Sequence, residues 1–304
     1  MADSVDIAQI RKTITTSRVA SLGDYFELTK PRLSLLVLFS ALVGLCLAMG
    51  GLPELGIAFH LLLGTALAAG GASALNMFLE RDSDALMKRT ENRPLPTGRL
   101  SEVEVKNFGI SVSLAGVLYL ALFCNPTAAF LGALTVVTYV AFYTPLKKIS
   151  SVSTVVGAVP GALPTLIGWS ASGRAINSEA WILFSILFLW QLPHFLAIAW
   201  RYREDYAQAG YAMLPIEDPR GMSTARQVIL QTMGLIAASL TPAFFGNAGA
   251  LYFYSALGLG VVFLTFGVLF AIERTNHRAR SLFIASIVYL PLLLAFLTAD
   301  AVVS

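Results

Sequence analysis

The chain has 304 residues, of which 56% are hydrophobic and only 13% charged, with a mean hydropathy of +0.71. A soluble protein of this size needs a polar surface that this composition cannot supply. Apolar stretches long enough to cross a bilayer (~20 residues each) recur along the sequence, so the chain reads as a polytopic all-α membrane protein. Its first partner is the lipid bilayer, and no nucleic-acid partner is expected.

Residues 1–32 mix five basic with four acidic side chains. They lack the short apolar core and small-residue cleavage site of a signal peptide, and are expected to form a cytoplasmic N-terminal segment. A single nine-helix domain is expected over 33–300, with spans at roughly 33–52, 55–79, 107–124, 127–145, 152–172, 178–200, 227–245, 250–272 and 281–299 around a central cavity. Two uncharged blocks are too long for one crossing. Each is broken by a turn signal, "CNPT" in the first and "GNAG" in the second. Cys46 and Cys124 lie inside apolar runs and read as packed thiols.

Twenty of the twenty-one Lys and Arg residues fall in the N-terminal segment or after even-numbered spans; Arg174 is the exception. The positive-inside rule then predicts a cytoplasmic N-terminus and an external C-terminus, in the cell membrane. Fifteen of the eighteen acidic residues share that side, although the rule does not sort carboxylates. A single functional face turned to the cytoplasm accounts for them.

The densest part of that face is "NMFLERDSDALMKRTENRPLP", residues 76–96. If the second span stays helical through residue 84, Asn76, Glu80 and Asp84 fall at i, i+4 and i+8, within an arc of ~80°. Three oxygen donors along one stripe suit a hard cation such as Mg²⁺, which completes its shell with water and phosphate oxygens. Asp82 falls on the opposite face. Lys88, Arg89 and Arg93 follow, and guanidinium groups beside such a stripe suit a diphosphate. The positive-inside rule explains the basic residues without any function, but not the phase of the stripe.

In "YTPLKK", Tyr143 and Lys147 share a face if helical turns persist past Pro145; the same pair also suits plain interfacial anchoring. His194, in "WQLPHF", lies inside an apolar span and is either functional or simply packed. Asp205, beside Glu204, ends the sixth span much as Asp84 ends the second.

These residues resemble the UbiA superfamily of intramembrane prenyltransferases and, within it, the protoheme IX farnesyltransferase branch. The superfamily signature Asn-x-x-x-Asp-x-x-x-Asp falls on Asn76, Glu80 and Asp84, with glutamate where aspartate is usual. The branch adds "LTKPR", "DALMKRTENRPLPTGRL", "YTPLKK", "GAVPGALPTLIGW", "WQLPHF" and "DYAQAGYAMLP", in order between residues 28 and 215. Of a second Asp-x-x-x-Asp motif only Asp205 is present, because Arg201 stands four residues earlier.

The resemblance implies a Mg²⁺-dependent transfer of farnesyl from farnesyl diphosphate to a vinyl group of heme b, with water added to give heme O for terminal oxidases. Asn76, Glu80, Asp84 and Asp205 would hold the metal, and Lys147, Arg89, Arg93, Lys88 and Tyr143 would hold the diphosphate. His194 would be the heme-side residue, as an axial ligand or near the vinyl group; His60 would lie near the outer face. Heme A synthase or oxidase assembly factors would be partners. Two other readings share parts of the pattern: a UbiA-type aromatic prenyltransferase of quinone synthesis, and a membrane transporter, which would carry its charge near the bilayer midplane.

Overall fold

The computed structural model describes residues 20–303, with side chains to residue 300. Much of the expected N-terminal segment, residues 1–19, lies outside the described residues. Among the described residues, nine helices are long and apolar enough to cross a membrane. They are α1 (Pro31–Met49), α2 (Leu55–Asp84), α3 (Glu102–Phe123), α4 (Pro126–Leu146), α5 (Ser153–Ala171), α6 (Ser178–Arg201), α7 (Met222–Phe244), α8 (Ala250–Glu273) and α9 (Asn276–Val303). These are the nine predicted spans. Several begin earlier than predicted, because polar first turns extend the helix beyond its apolar stretch. At α3, Ser101 and Glu104 form a reciprocal capping box, with Ser101 N donating to Glu104 Oε2 at 2.8 Å.

The turn signals act as read. Asn125 caps α4 by accepting from Ala128 N at 2.8 Å, with Pro126 in the first turn. Gly246 takes a positive φ of 75° after α7, which glycine adopts without steric cost. Large side chains such as Leu35, Leu118 and Val261 face outward, exposed by 66%, 53% and 52%. On a soluble protein such a belt would aggregate; here it is the lipid face.

Helices α2 and α3 meet along a seam of small residues. A Cβ at Gly71 would overlap Ser113, and one at Gly116 would overlap the Ala68 backbone. Close backbone approach supplies van der Waals packing where lipid gives no hydrophobic drive between helices. Helices α5 and α6 are the most enclosed of the nine.

Two features shape one end of the bundle. Helix α4 carries a π-helical turn over Thr138–Tyr143, so its last residues are rotated relative to a regular helix. Lys30, just before Pro31 at the start of α1, takes a left-handed backbone (φ 47°, ψ 61°). At this end the loops after α2, α4 and α6 close over one another. Met87 packs with Tyr206, Tyr211 and Met213, and Ala212 N donates to Lys147 O at 2.8 Å. Arg99 ties the 85–101 loop to Asp24 and Glu27 of the short helix Leu22–Leu28.

Candidate active site

Helix α2 does continue through Asp84, so the predicted stripe forms. Asn76, Glu80 and Asp84 are all buried, with 1%, 5% and 1% exposure. Asp82 points away, and its carboxylate is exposed beside Arg81.

Each member of the stripe faces one cation from a different part of the chain. Lys147 Nζ lies 2.6 Å from Glu80 Oε1. Arg93 Nη1 lies 2.6 Å from Asp84 Oδ2. Lys30 Nζ donates to Asn76 Oδ1 at 2.6 Å. The Asn76 amide is fixed from its other side too: its Nδ2 donates to Thr144 Oγ1 at 3.0 Å, and that hydroxyl donates to Tyr139 O at 2.8 Å across the π turn. The Lys147 ammonium also sits over the rings of Tyr143 (4.8 Å) and Tyr211 (5.5 Å). Burial opposes the charge on Lys147, yet Glu80 and the surrounding tyrosines hold its pKa well above the ordinary value. Burial, with the Arg93 guanidinium close by, pushes Lys30 down to about 7. Three cations crowded against two carboxylates and an amide make a place that favours a further anion.

The stripe was also expected to bind a metal. The second carboxylate oxygen of Asp84, Oδ1, is buried with no hydrogen-bond partner. An ionised oxygen left this way is costly, and a hard cation satisfies it. Glu80 and Asn76 supply oxygens on the same stripe, so these residues fit Mg²⁺. Asp205 is not gathered with them. Among the described residues no three His, Cys, Asp or Glu side chains cluster as metal ligands. The reason is local: α6 ends at Arg201, Tyr202 breaks the helix (φ −111°, ψ 22°), and Asp205 sits on the separate short helix Arg203–Gln208. Its phase relative to α6 is therefore lost.

The remaining predicted residues divide. Arg93, Lys147 and Tyr143 surround the stripe. Arg89 instead lies over Tyr202 (5.2 Å) and Tyr206 (5.4 Å), and donates to Tyr206 Oη at 3.0 Å. Lys88 is exposed at the rim. Lys30 is the residue that sequence reasoning left out. "LTKPR" offered a signal, a lysine directly before the proline that opens a span, but the charge rule already accounted for it.

Behind the stripe lies a cavity of about 210 Å³ enclosed by α1, α2, α4, α5 and α6. Tyr143 and Tyr139 line it near the charged rim, and Trp190, Gln191, His194 and Phe195 line it from α6. No Asp, Glu, Lys or Arg side chain lines it. His60 is elsewhere, bonded to Tyr119 Oη at 2.8 Å and stacked on Phe123 at 4.8 Å. It is sixteen positions from Asn76 on the same helix, roughly 24 Å along α2.

A charged, cation-matched rim opening onto a neutral aromatic cavity is a geometry for separating an anionic leaving group from an apolar tail. Comparison with known proteins agrees. The UbiA prenyltransferase family matches residues 37–296. A protoheme IX farnesyltransferase of Solibacter usitatus is 46% identical, covering 92% of this chain and 99% of that one. One from Opitutus terrae is 42% identical over 94% and 97%. Among solved structures, a digeranylgeranylglyceryl phosphate synthase superposes with a TM-score of 0.79 at 16% identity, covering 93% of this chain and 99% of that one. A UbiA homolog from Archaeoglobus fulgidus bound to DMAPP and Mg²⁺ does so with 0.63 at 16%, over 90% and 99%. At these identities the structural likeness is one of fold, whereas the sequence relatives extend over nearly the whole chain. The chain belongs to the UbiA prenyltransferase family.

Proposed function

We propose that this protein transfers a farnesyl group from farnesyl diphosphate to a vinyl group of heme b, with addition of water, to give heme O. The observation that carries the reading is the buried Asn76–Glu80–Asp84 stripe, cation-matched at every position, at the mouth of an uncharged aromatic cavity. The choice of heme and farnesyl rests on the relatives named protoheme IX farnesyltransferase, at 46% and 42% identity. A rim turned to the cytoplasm is supported by the sequence, in which twenty of twenty-one Lys and Arg residues belong to the N-terminal segment or follow even-numbered spans.

The diphosphate lies at the rim, where Lys30, Lys147 and Arg93 present donors to its oxygens. Asn76, Glu80 and Asp84 would hold Mg²⁺, while Asp205, on the separate helix Arg203–Gln208, stands outside that set. Held by the stripe residues, Mg²⁺ would supply Lewis-acid neutralisation of the leaving diphosphate. Arg89 and Lys88 contribute positive field from the loop. The prenyl chain enters the cavity, where Tyr139, Tyr143 and Phe195 offer aromatic faces to the allylic cation and no carboxylate competes for it. Exclusion of bulk water protects that cation until the vinyl carbon attacks. The product passes to a heme A synthase or an oxidase assembly factor.

The test is to incubate membranes containing the protein with heme b, farnesyl diphosphate and Mg²⁺ and to analyse the porphyrins by mass. A hydroxyethylfarnesyl adduct is expected. Its absence, together with prenylation of 4-hydroxybenzoate in a parallel assay, would overturn the choice of acceptor.

A further inference from the structure

The α6 wall of the cavity holds one arrangement that the rim chemistry does not use. His194 Nδ1 lies 2.7 Å from Ser286 Oγ, on α9. That hydroxyl has one hydrogen, and it donates it to Phe283 O at 2.6 Å. Toward His194 the oxygen is therefore the acceptor, so the imidazole carries its proton on Nδ1 and leaves Nε2 with a lone pair. The ring is also held in place. It stacks on Trp190 (centroids 4.9 Å) and packs against Phe283 (5.0 Å), while Trp190 Nε1 donates to Ser286 O at 2.8 Å. Serine, tryptophan and histidine thus lock α6 to α9 with a single basic nitrogen left unprotonated.

No other lining residue is a histidine, a carboxylate or a lysine. The hydroxyls of Ser34, Ser40 and Thr135 donate to carbonyls of their own segments at 2.8 Å. Gln191 is an amide, spent on Leu187 O at 3.0 Å. The carboxylates are all at the rim.

We propose that His194 is the general base of the hydration step, with Ser286 as the positioning residue that fixes its tautomer. This rests on the heme-farnesylating reading above. The farnesyl C1–O bond breaks and its electron pair leaves with the diphosphate. The vinyl π pair then forms the new C–C bond to C1, leaving an electron-poor carbon next to the pyrrole ring. Water forms a C–O bond to that carbon and loses a proton to His194 Nε2, which later returns it to solvent. Heme b, farnesyl diphosphate and water enter; heme O, diphosphate and one proton leave. Without a base at that position, the cation is quenched instead by loss of a carbon-bound proton, giving a farnesylated porphyrin one water lighter.

The experiment compares wild type with H194Q and S286A, using heme b, farnesyl diphosphate and Mg²⁺, and reads hydrated against dehydrated adduct by mass, alongside released diphosphate. H194Q is expected to keep releasing diphosphate while the hydrated-to-dehydrated ratio falls by about a hundredfold, the low end of what a positioned base contributes. S286A, which keeps the imidazole but frees its tautomer, is expected to fall by a smaller factor in the same ratio. If H194Q is unfolded, the S286A ratio decides alone. An unchanged ratio in folded H194Q, or in S286A where H194Q does not fold, overturns the proposal. A changed heme absorption spectrum with an unchanged ratio would make His194 an axial ligand instead. Absence of any porphyrin adduct from wild type overturns the underlying reading itself, a result distinct from a shifted or unshifted ratio.

Discussion

The charged rim and the α6 wall of the cavity solve opposite problems. At the rim each member of the stripe is answered by a cation: Glu80 by Lys147, Asp84 by Arg93, Asn76 by Lys30. At the α6 wall polar groups are answered by neutral hydrogen bonds, His194 by Ser286 and Trp190 by the Ser286 carbonyl. A reaction that pulls an anion away from an allylic cation needs both environments, side by side and unmixed. A carboxylate on the α6 wall would trap the cation; an uncharged rim would not release the diphosphate.

The comparison breaks most completely at the stripe. Asp84→Asn or Glu80→Gln is expected to lower farnesyl transfer by roughly 10²–10³-fold, the range seen when one element of electrostatic stabilisation is removed. Removal of divalent metal with a chelator should have at least as large an effect, reversed by added Mg²⁺. Diphosphate release measures both, and activity retained in the double variant would remove the rim from the chemistry.

A second break separates folding from catalysis. Lys147→Met leaves Glu80 charged and buried without its partner, and breaking a buried pair from one side costs about 3–5 kcal/mol. Thermal unfolding in detergent should show that loss. Adding Glu80→Gln should recover most of the stability and none of the activity, because the pair would then be neutral and unable to bind diphosphate or metal.

The contrast between the rim and the α6 wall also explains what could be read from the sequence. The stripe was legible because α2 is a regular helix, and a spacing of i, i+4, i+8 becomes a face without help from the rest of the fold. Tyr143 and Lys147 were legible as neighbours for the same reason. Arg93 lies outside the helix, as a residue before proline tends to, and its guanidinium reaches back to Asp84. Asp205 was read as the counterpart of Asp84, but no Gly or Pro announces the break at Tyr202 that turns its segment aside. Lys30 was missed because its role depends on a left-handed backbone at a non-glycine residue, which no residue pattern encodes. The α6 wall was the least legible: His194 was visible as a polar residue in a span, but its partner Ser286 is 92 positions away, and only packing of α9 on α6 brings them together.

Lys30 gives a smaller and sharper test. Lys30→Met removes the cation that orients Asn76, and about a tenfold loss of transfer is expected, matching one charge-assisted hydrogen bond of ~1.5 kcal/mol. Lys30→Gly loses the same cation but relieves the left-handed backbone, a strain of roughly 1–2 kcal/mol for a residue with a Cβ. The two variants should therefore be equally impaired in activity, with the glycine variant the more stable of the two. Kinetics and thermal unfolding on the pair distinguish a cation acting on the stripe from a lysine that merely starts α1. If Lys30→Met transfers farnesyl at the wild-type rate, Asn76 does not depend on it.

The smallest effect is expected where the two regions meet. Tyr143 lies against α5 at Gly157, and a Cβ added there would come within 2.5 Å of the tyrosine ring. Gly157→Ala must therefore push the ring off α5 without itself adding or removing a charged or hydrogen-bonding group. That ring forms the cavity wall on one side and supports the Lys147 ammonium at 4.8 Å. A displaced ring gives up part of a cation–π contact worth about 0.5–2 kcal/mol, so a loss of a few-fold to about tenfold in transfer rate is expected. Tyr143→Phe, which keeps the ring in place and removes only the hydroxyl beside Lys147, should lose less than Tyr143→Leu. If Gly157→Ala is silent while Tyr143→Leu is impaired, the ring tolerates movement and serves only as support for Lys147. If Gly157→Ala instead raises the dehydrated fraction of the product, the ring also governs how the cation sits relative to His194, and the two regions are coupled through Tyr143.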